Sequence, residues 1–186
     1  MTPGELAGQI TAGLSGAEVT SDARTGEVTA DVPAGDWLAA LAFARDELGC
    51  DYFDWLTAVD EQERGLAVVV HVYSVAGRHR VLIRTLVPPV PGGTSVLPTA
   101  TGIYRGAAWH ERETWEMFGL AFEGHPDLRP LLLPDGFDGH PLRKDFVLAA
   151  RAAKEWPGAK EPGDRDPART RRRLPPPGLP ESWRPA

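Results

Sequence analysis

Three strand-like runs follow one another between residues 52 and 87, and this succession constrains the fold more than any other feature of the chain. Tyr52 to Asp60 is rich in aromatic residues, while Leu66 to Ser74 and Val81 to Val87 place apolar side chains at alternate positions. Alternation with a period of two is typical of strands with one buried face. Glycines stand in both short connections, so the sequence predicts an antiparallel meander.

Helix patterns lie on both sides of this meander. Residues 2–14 begin with the spacing of a capping box and continue with apolar residues at helical intervals, and residues 34–48 and 107–118 have helical periodicity as well. Two short strand-like runs, 17–23 and 27–32, flank a glycine turn. The predicted fold class is α+β: a two-layer domain with a mainly antiparallel sheet and helices on one face, then an irregular loop region and an extended C-terminal tail.

Some side chains can be assigned to the core from these patterns alone. The apolar side of the second helix should carry Trp37, Leu38, Leu41 and Leu48, and the aromatic residues of the strand at 52–55 favour a core position over a stacking surface. Cys50 is the single cysteine, so it forms no internal disulfide and begins no iron–sulfur or zinc site of the usual spacing. We predict that Cys50 is a small buried residue.

Charge and proline content divide the chain in two. Residues 1–150 hold 11 Lys and Arg against 21 Asp and Glu, a net charge of -10, whereas residues 151–186 hold 9 against 5, a net charge of +4. Eight of the 18 prolines fall in residues 157–186. Such a composition does not support a packed core. We therefore predict an α+β domain over 1–150 and a Pro/Arg-rich extended tail over 151–186.

Several function classes lack support in the sequence. No run approaches the roughly 18 apolar residues of a spanning helix, and a signal-peptide pattern is missing, so we expect a cytoplasmic chain. Glycine-rich nucleotide motifs and a Ser/His/Asp arrangement are also missing. An HExxH zinc motif fails because position 114 is Thr. We expect no catalytic residue, no cofactor-binding residue and no metal ligand on this chain.

The helix at 107–118 combines charged and aromatic residues on one face. Glu111, Trp115 and Phe118 fall at spacings of four and three, which predicts a buried carboxylate among aromatic rings. A buried charge needs a partner, and we expect Arg129 or Arg143 to supply it. Arg112 and Glu116 have the spacing of an i,i+4 ion pair, and Gly119 is placed to end the helix.

An irregular loop is predicted beyond this helix. Two Gly-His-Pro turns, at 124–126 and 139–141, fix its path, and the apolar run 131–133 between them should anchor it to the core. His125 and His140 each precede a proline, a context more typical of a capped turn than of a metal ligand.

Residues 110–146 resemble the signature of the 30 kDa subunit family of bacterial respiratory NADH:quinone oxidoreductase (complex I), known as its C subunit, and of the equivalent subunits of membrane-bound nickel-iron hydrogenases. The matching positions, in three ordered blocks, are Glu111, Arg112, Glu113, Trp115, Phe118 and Gly119; Gly124, His125, Pro126, Leu128 and Arg129; and Gly139, Pro141, Leu142, Arg143, Lys144, Asp145 and Phe146. Three positions depart from the pattern: Glu116 replaces the usual Asp, Pro130 a common basic residue, and Val147 a common Pro.

The resemblance implies a structural subunit of the cytoplasmic peripheral arm, with no catalytic site of its own. FMN, iron–sulfur clusters and quinone would be bound by other subunits, and the complex would move electrons from NADH to quinone while translocating protons. The large D subunit would be the principal partner, and membrane association would be indirect. An equivalent subunit of a hydrogenase-type complex is the alternative. A nucleic-acid-binding module that uses Arg169 to Arg173 is a remote one, because the acidic body would repel a polyanion, so no nucleic-acid partner is expected.

Overall fold

A computed structural model describes residues 1–22 and 24–147, so the tail predicted for 151–186 lies outside the described residues. The elements in chain order are α1 (Pro3–Gly13), β1 (Glu18–Asp22), β2 (Glu27–Val32), α2 (Trp37–Asp46), β3 (Tyr52–Asp60), β4 (Leu66–Ser74), β5 (His79–Val87), β6 (Val96–Pro98), α3 (Ala107–Phe118) and β7 (Ala121–Glu123). The α+β class is confirmed. The predicted capping box is present, because the Thr2 hydroxyl accepts from the Glu5 amide and the Glu5 carboxylate accepts from the Thr2 amide.

Five strands form one mixed sheet in the order β1-β2-β5-β4-β3. The meander of β3, β4 and β5 is antiparallel as predicted, and β1 and β2 form the expected hairpin. The parallel pairing of β2 with β5, with Val28 opposite Val81, was not predicted. A parallel pair needs a long crossover, which α2, β3 and β4 supply here. The pattern within a strand reveals its buried face but not its neighbour.

The core forms where α1 and α2 pack on the sheet. Leu6 and Ile10 from α1 and Trp37 and Leu41 from α2 are buried in one cluster with inward residues of the strands such as Ile83. The two helices also approach each other closely, since a Cβ on Gly13 would lie 2.2 Å from the Phe43 ring. Cys50 is buried in the same cluster, as predicted. Burial raises the pKa of its thiol to about 11.

Two core predictions were wrong. Leu38 is exposed, because α2 begins at Trp37 after a short 3-10 turn and its buried face is formed by Trp37, Ala40, Leu41 and Ala44. Tyr52 is exposed at the start of β3, although Phe53 and Trp55 are half-buried. Aromatic content therefore overestimated burial at the first residue of that strand.

Helix α3 packs on β3, the edge strand of the sheet. Nδ1 of His110 lies 3.2 Å from the carbonyl oxygen and 3.4 Å from the amide nitrogen of Leu56. The Phe53 ring meets the His110 ring edge-on at 5.3 Å between centroids. Nδ1 donates to the carbonyl in one tautomer and accepts from the amide in the other, so the imidazole satisfies one backbone group that an edge strand otherwise leaves free. β6, which precedes α3, and β7, which follows it, pair in parallel as a second, two-stranded sheet.

Candidate functional site

The residues of the family signature come together as α3 and the loop that follows it, residues 119–147, here called the signature loop. Glu116 on α3 accepts three hydrogen bonds from this loop. One carboxylate oxygen accepts from the amides of Leu131 (3.1 Å) and Leu133 (2.9 Å), and the other accepts from Leu132 (2.7 Å). Three consecutive amides thus converge on one carboxylate that is only 5% exposed. Burial alone would raise the pKa of Glu116, but the three amides outweigh it and the pKa lies below its usual range.

The apolar run 131–133 is therefore held by its backbone. Leu132 is 58% exposed, and Leu131 and Leu133 are half-buried, so the prediction that these side chains anchor the loop in the core was wrong. The residue that fixes the run is a carboxylate sixteen positions before Leu132. A run of leucines in a sequence does not reveal that its amides, rather than its side chains, are the bound groups.

Arg112 binds the same stretch of loop from one helical turn earlier. Its guanidinium donates to the carbonyl oxygens of Arg129 (3.0 Å) and Pro130 (2.7 Å). The predicted ion pair with Glu116 was wrong as a direct contact, because both side chains are engaged with backbone groups instead. Arg112 still contributes to the lowered pKa of Glu116 through its charge. Pro130 retains a role because its carbonyl group accepts this bond.

Glu111 is fully buried, as its helical position predicted, but its partners are not arginines. Its carboxylate accepts from the amide of Ala100 at 2.6 Å and from the hydroxyl of Thr99. Nε2 of His125 lies 3.9 Å away. Burial dominates and raises the pKa of Glu111 to about 7, although both hydrogen bonds act in the opposite direction. The expectation of Arg129 or Arg143 as partner was wrong, since Arg129 pairs with Asp127 at 2.9 Å and Arg143 lies near Asp145.

The two histidines act as turn caps. His125 places Nε2 3.0 Å from the carbonyl oxygen of Ala108, and its Nδ1 accepts from the amide of Asp127 at 3.0 Å. His140 donates from Nδ1 to the carbonyl oxygen of Glu116 at 2.8 Å. Each ring therefore ties a Gly-His-Pro turn to the backbone of α3. This geometry is the structural role that the sequence favoured for both residues.

The third signature block caps the carboxyl end of α3. Gly119 takes the left-handed conformation (φ +74°), and a Cβ there would lie 2.6 Å from the His140 ring. The amide of Leu142 donates to the carbonyl oxygen of Met117 at 3.1 Å, and the guanidinium of Arg143 donates to that of Phe118 at 3.3 Å. Helix ends leave such carbonyl groups without partners, and a cation there is favoured by the helix dipole. The block therefore completes the helix.

A side-chain hydrogen bond joins the signature loop to the end of β3. Asp60, at the end of β3, accepts from the amide of Lys144 at 2.7 Å and from the amide of Gln62 at 2.8 Å. Its pKa is lowered, because these amides and the charges of Arg143 and Lys144 outweigh the effect of burial. Sequence reasoning missed Asp60, and also Thr99, because both lie far from the signature and only the tertiary fold brings them to it.

The remaining signature residues have simpler positions. Gly124 and Gly139 take positive φ angles of +81° and +97°, which explains glycine at both turns. Trp115 and Glu113 are half-buried on α3, and Phe118 is buried. Asp145 is exposed and lies 3.5 Å from the guanidinium of Arg143. The other signature residues in the loop are Pro126, Leu128, Pro141 and Phe146. The Phe146 ring stacks on the Phe137 ring, with 5.9 Å between centroids.

Most donor and acceptor groups of this site are thus directed at backbone atoms of the chain. Among residues 1–22 and 24–147, no three His, Cys, Asp or Glu side chains are grouped as metal ligands would be. In the same ranges, no helix combines the length and apolar character that crossing a bilayer requires. The chemical capacity of the arrangement is to fix an irregular loop on a helix.

Part of this sequence is similar to C subunits of bacterial NADH-quinone oxidoreductases. The C subunit of NADH-quinone oxidoreductase from Agrobacterium fabrum is 42% identical over 115 residues, which cover 60% of this chain and 56% of that protein. The same subunit from Brucella ovis is 36% identical over 149 residues, 78% of this chain and 72% of that protein. The chain spans about half the length of several such relatives (56%, 54% and 53% for three of them).

A solved structure shares the fold. It comes from the membrane-bound sulfane sulfur reductase, an archaeal respiratory membrane complex, with a TM-score of 0.66 and 26% sequence identity over 79% of this chain and 86% of that one. A sequence model described as "Respiratory-chain NADH dehydrogenase, 30 Kd subunit" matches residues 30–152, which include α3 and the signature loop. The chain therefore belongs to the 30 kDa subunit family of respiratory-chain NADH dehydrogenase.

Proposed function

We propose that this chain is a structural subunit, without a cofactor of its own, in the cytoplasmic peripheral arm of an NADH:quinone oxidoreductase. The observation that carries the proposal is how the signature residues are used. Glu111, Glu116, Arg112 and His140 each bind backbone groups of the chain itself. Side chains so committed hold a shape instead of acting on a substrate, whereas a catalytic site would direct acids and bases into a cleft.

The shape that they hold presents apolar side chains to the outside. Trp109 on α3 is 64% exposed, and Leu132, Leu142 and Val147 of the signature loop are 58%, 53% and 81% exposed. Large apolar side chains in this number on one module mark an interaction surface. We propose that neighbouring subunits cover it, with the large D subunit as the principal partner. The predicted extended tail, rich in Pro and Arg, falls on residues outside the described ranges.

Electron transfer belongs to other subunits in this proposal. NADH would be oxidised at FMN, electrons would pass through iron–sulfur centres to quinone, and protons would be translocated by the complete complex. The buried thiol of Cys50, with its pKa raised to about 11, supports this division because a metal ligand must be a thiolate. Attachment to the cytoplasmic side of the membrane would be indirect, through the partners.

A second candidate is the equivalent subunit of a related respiratory complex with a different electron donor. The observation that favours it is the fold shared with the archaeal sulfane sulfur reductase complex. The same signature loop would then hold the same kind of interface, because the structural role does not depend on the donor.

Deleting the gene and restoring it from a plasmid tests both candidates. For the leading one, membranes from the deletion strain should lose NADH:quinone activity, and the restored strain should recover it. A tagged copy purified without salt stripping should bring flavin- and iron–sulfur-containing subunits with it. Unchanged NADH:quinone activity together with loss of another membrane oxidoreductase would favour the second candidate. Purification of the tagged chain with no partner would contradict the structural-subunit proposal.

A further inference from the structure

A groove of about 370 Å³ lies between α3 and the turn at 134–139 of the signature loop. Its apolar lining comes from Trp115 of α3 and from Pro130, Leu133 and Phe137 of the loop. Two aspartates, Asp135 and Asp138, also line it, and both are exposed. The groove therefore combines aromatic surfaces with carboxylates.

The charges in this groove are not balanced within the described part of the chain. The carboxylate of Glu116 accepts from three amides, and the guanidinium of Arg112 donates to the carbonyl oxygens of Arg129 and Pro130. These two charges offset each other. Asp135 and Asp138 have neither a hydrogen bond nor an ion pair among residues 1–22 and 24–147, so a net charge of about two negative units remains.

A hydrogen-bonded turn forms one wall of the groove. The carbonyl group of Pro134 accepts from the amide of Phe137 at 3.1 Å, and Gly136 and Gly139 take positive φ angles on either side. A Cβ on Gly139 would lie 2.9 Å from the Phe146 ring, which stacks on Phe137.

We propose that this groove receives an arginine side chain from a neighbouring subunit of the complex. A guanidinium group stacks flat on aromatic rings and forms paired hydrogen bonds with carboxylates, so it matches Trp115, Phe137 and the two aspartates together. Lysine offers only a point charge, and an anionic lipid or phosphate would be repelled by the same aspartates. This inference rests on the proposed function, because it identifies what one part of the subunit interface binds.

Charge reversal inside the complete complex tests the groove. The double variant Asp135→Lys/Asp138→Lys is compared with Glu47→Lys/Glu63→Lys, which makes the same change in net charge at exposed carboxylates outside the groove. Each tagged chain is expressed in the deletion strain, and the fraction retained in the purified complex is measured from low to high NaCl. We expect the groove variant to be retained about tenfold less tightly than both the wild type and the control. Its difference from the wild type should shrink as salt rises.

Three further variants separate the groove from folding. Asp135→Asn/Asp138→Asn should weaken retention in the same direction but less, and Phe137→Ala should weaken it without changing the salt dependence, while Phe137→Tyr should retain the wild-type behaviour. The melting temperature of each isolated chain is measured in parallel. Equal retention of the groove variant, the control and the wild type at every salt concentration would overturn the inference and leave the proposed function intact. If the wild type brings no partner at all, the proposed function itself fails.

Discussion

The sheet with α1 and α2 and the signature loop on α3 are stabilised in different ways. The first region buries aliphatic and aromatic side chains such as Ile10, Trp37 and Ile83. In the second region two glutamates, Glu111 and Glu116, are 0% and 5% exposed and bind backbone amides. Apolar burial depends mainly on volume, whereas a buried carboxylate is specified by the direction of each hydrogen bond. The family resemblance read from the sequence rested on residues 110–146, where side-chain identity determines these hydrogen bonds, although the family model matches residues 30–152.

The largest expected effect is the loss of Glu116. Glu116→Ala removes three hydrogen bonds from half-buried amides to a charged acceptor, so we expect the free energy of unfolding to fall by about 4 kcal/mol. Urea denaturation followed by tryptophan fluorescence measures it. Glu113→Ala is the matched control, since Glu113 is half-buried on the same helix, and its cost should stay within about 0.5 kcal/mol. Equal effects of the two substitutions would mean that the three amides do not depend on the carboxylate.

The next effect concerns pH and Glu111. Its pKa rises from an ordinary 4.5 to about 7 on folding, so the protonated form is the one that the folded chain prefers. The contribution of Glu111 to the free energy of unfolding, about 3 kcal/mol in total, is fully present below pH 4.5. It is lost as the pH rises through about 7. Glu111→Gln should remove this loss, so the difference in stability between variant and wild type should change steadily between pH 4.5 and 7. A difference that is independent of pH would show that Glu111 titrates at its ordinary pKa.

A smaller effect is expected where the two regions meet. Asp60→Asn replaces a carboxylate that accepts from Lys144 and Gln62 by an amide, whose NH2 group must face one of those donors. We expect a loss of about 2 kcal/mol. Hydrogen exchange should show faster exchange of the Lys144 amide while the amides of β4 remain protected. Loss of protection in both places would indicate that the sheet and the signature loop unfold as one unit.

The smallest effect is expected inside the sheet. Ile83→Val removes one methylene group from a fully buried strand position and should cost about 1 kcal/mol by thermal or urea denaturation. The cost should be independent of pH, because no titrating group is involved. A cost as large as that of Glu116→Ala would remove the distinction between the two regions.

The sequence predicted the secondary-structure elements well, but it predicted the hydrogen-bond partners of their side chains poorly. The bounds of α3 and the burial of Glu111 followed from helical spacing alone. Thr99 and Ala100 are the hydrogen-bond partners of Glu111. They lie in a stretch without apolar periodicity, just after β6, a strand of three residues that is too short to show a pattern. Arginine was expected because charge complementarity is visible in a sequence. Backbone amides serve a carboxylate equally well, but nearly every residue type carries one, so composition gives no indication of which amides are used.

We expect the parallel pairing of β2 with β5 to form late in folding. β3, β4 and β5 are joined by short turns, whereas bringing Val28 to Val81 closes a loop of about fifty residues, which costs more chain entropy. We expect β2 to dock after the meander has formed. In stopped-flow kinetics Val70→Ala should then slow folding, while Val28→Ala should mainly speed unfolding. Equal slowing of folding by both substitutions would place the parallel pair in the transition state.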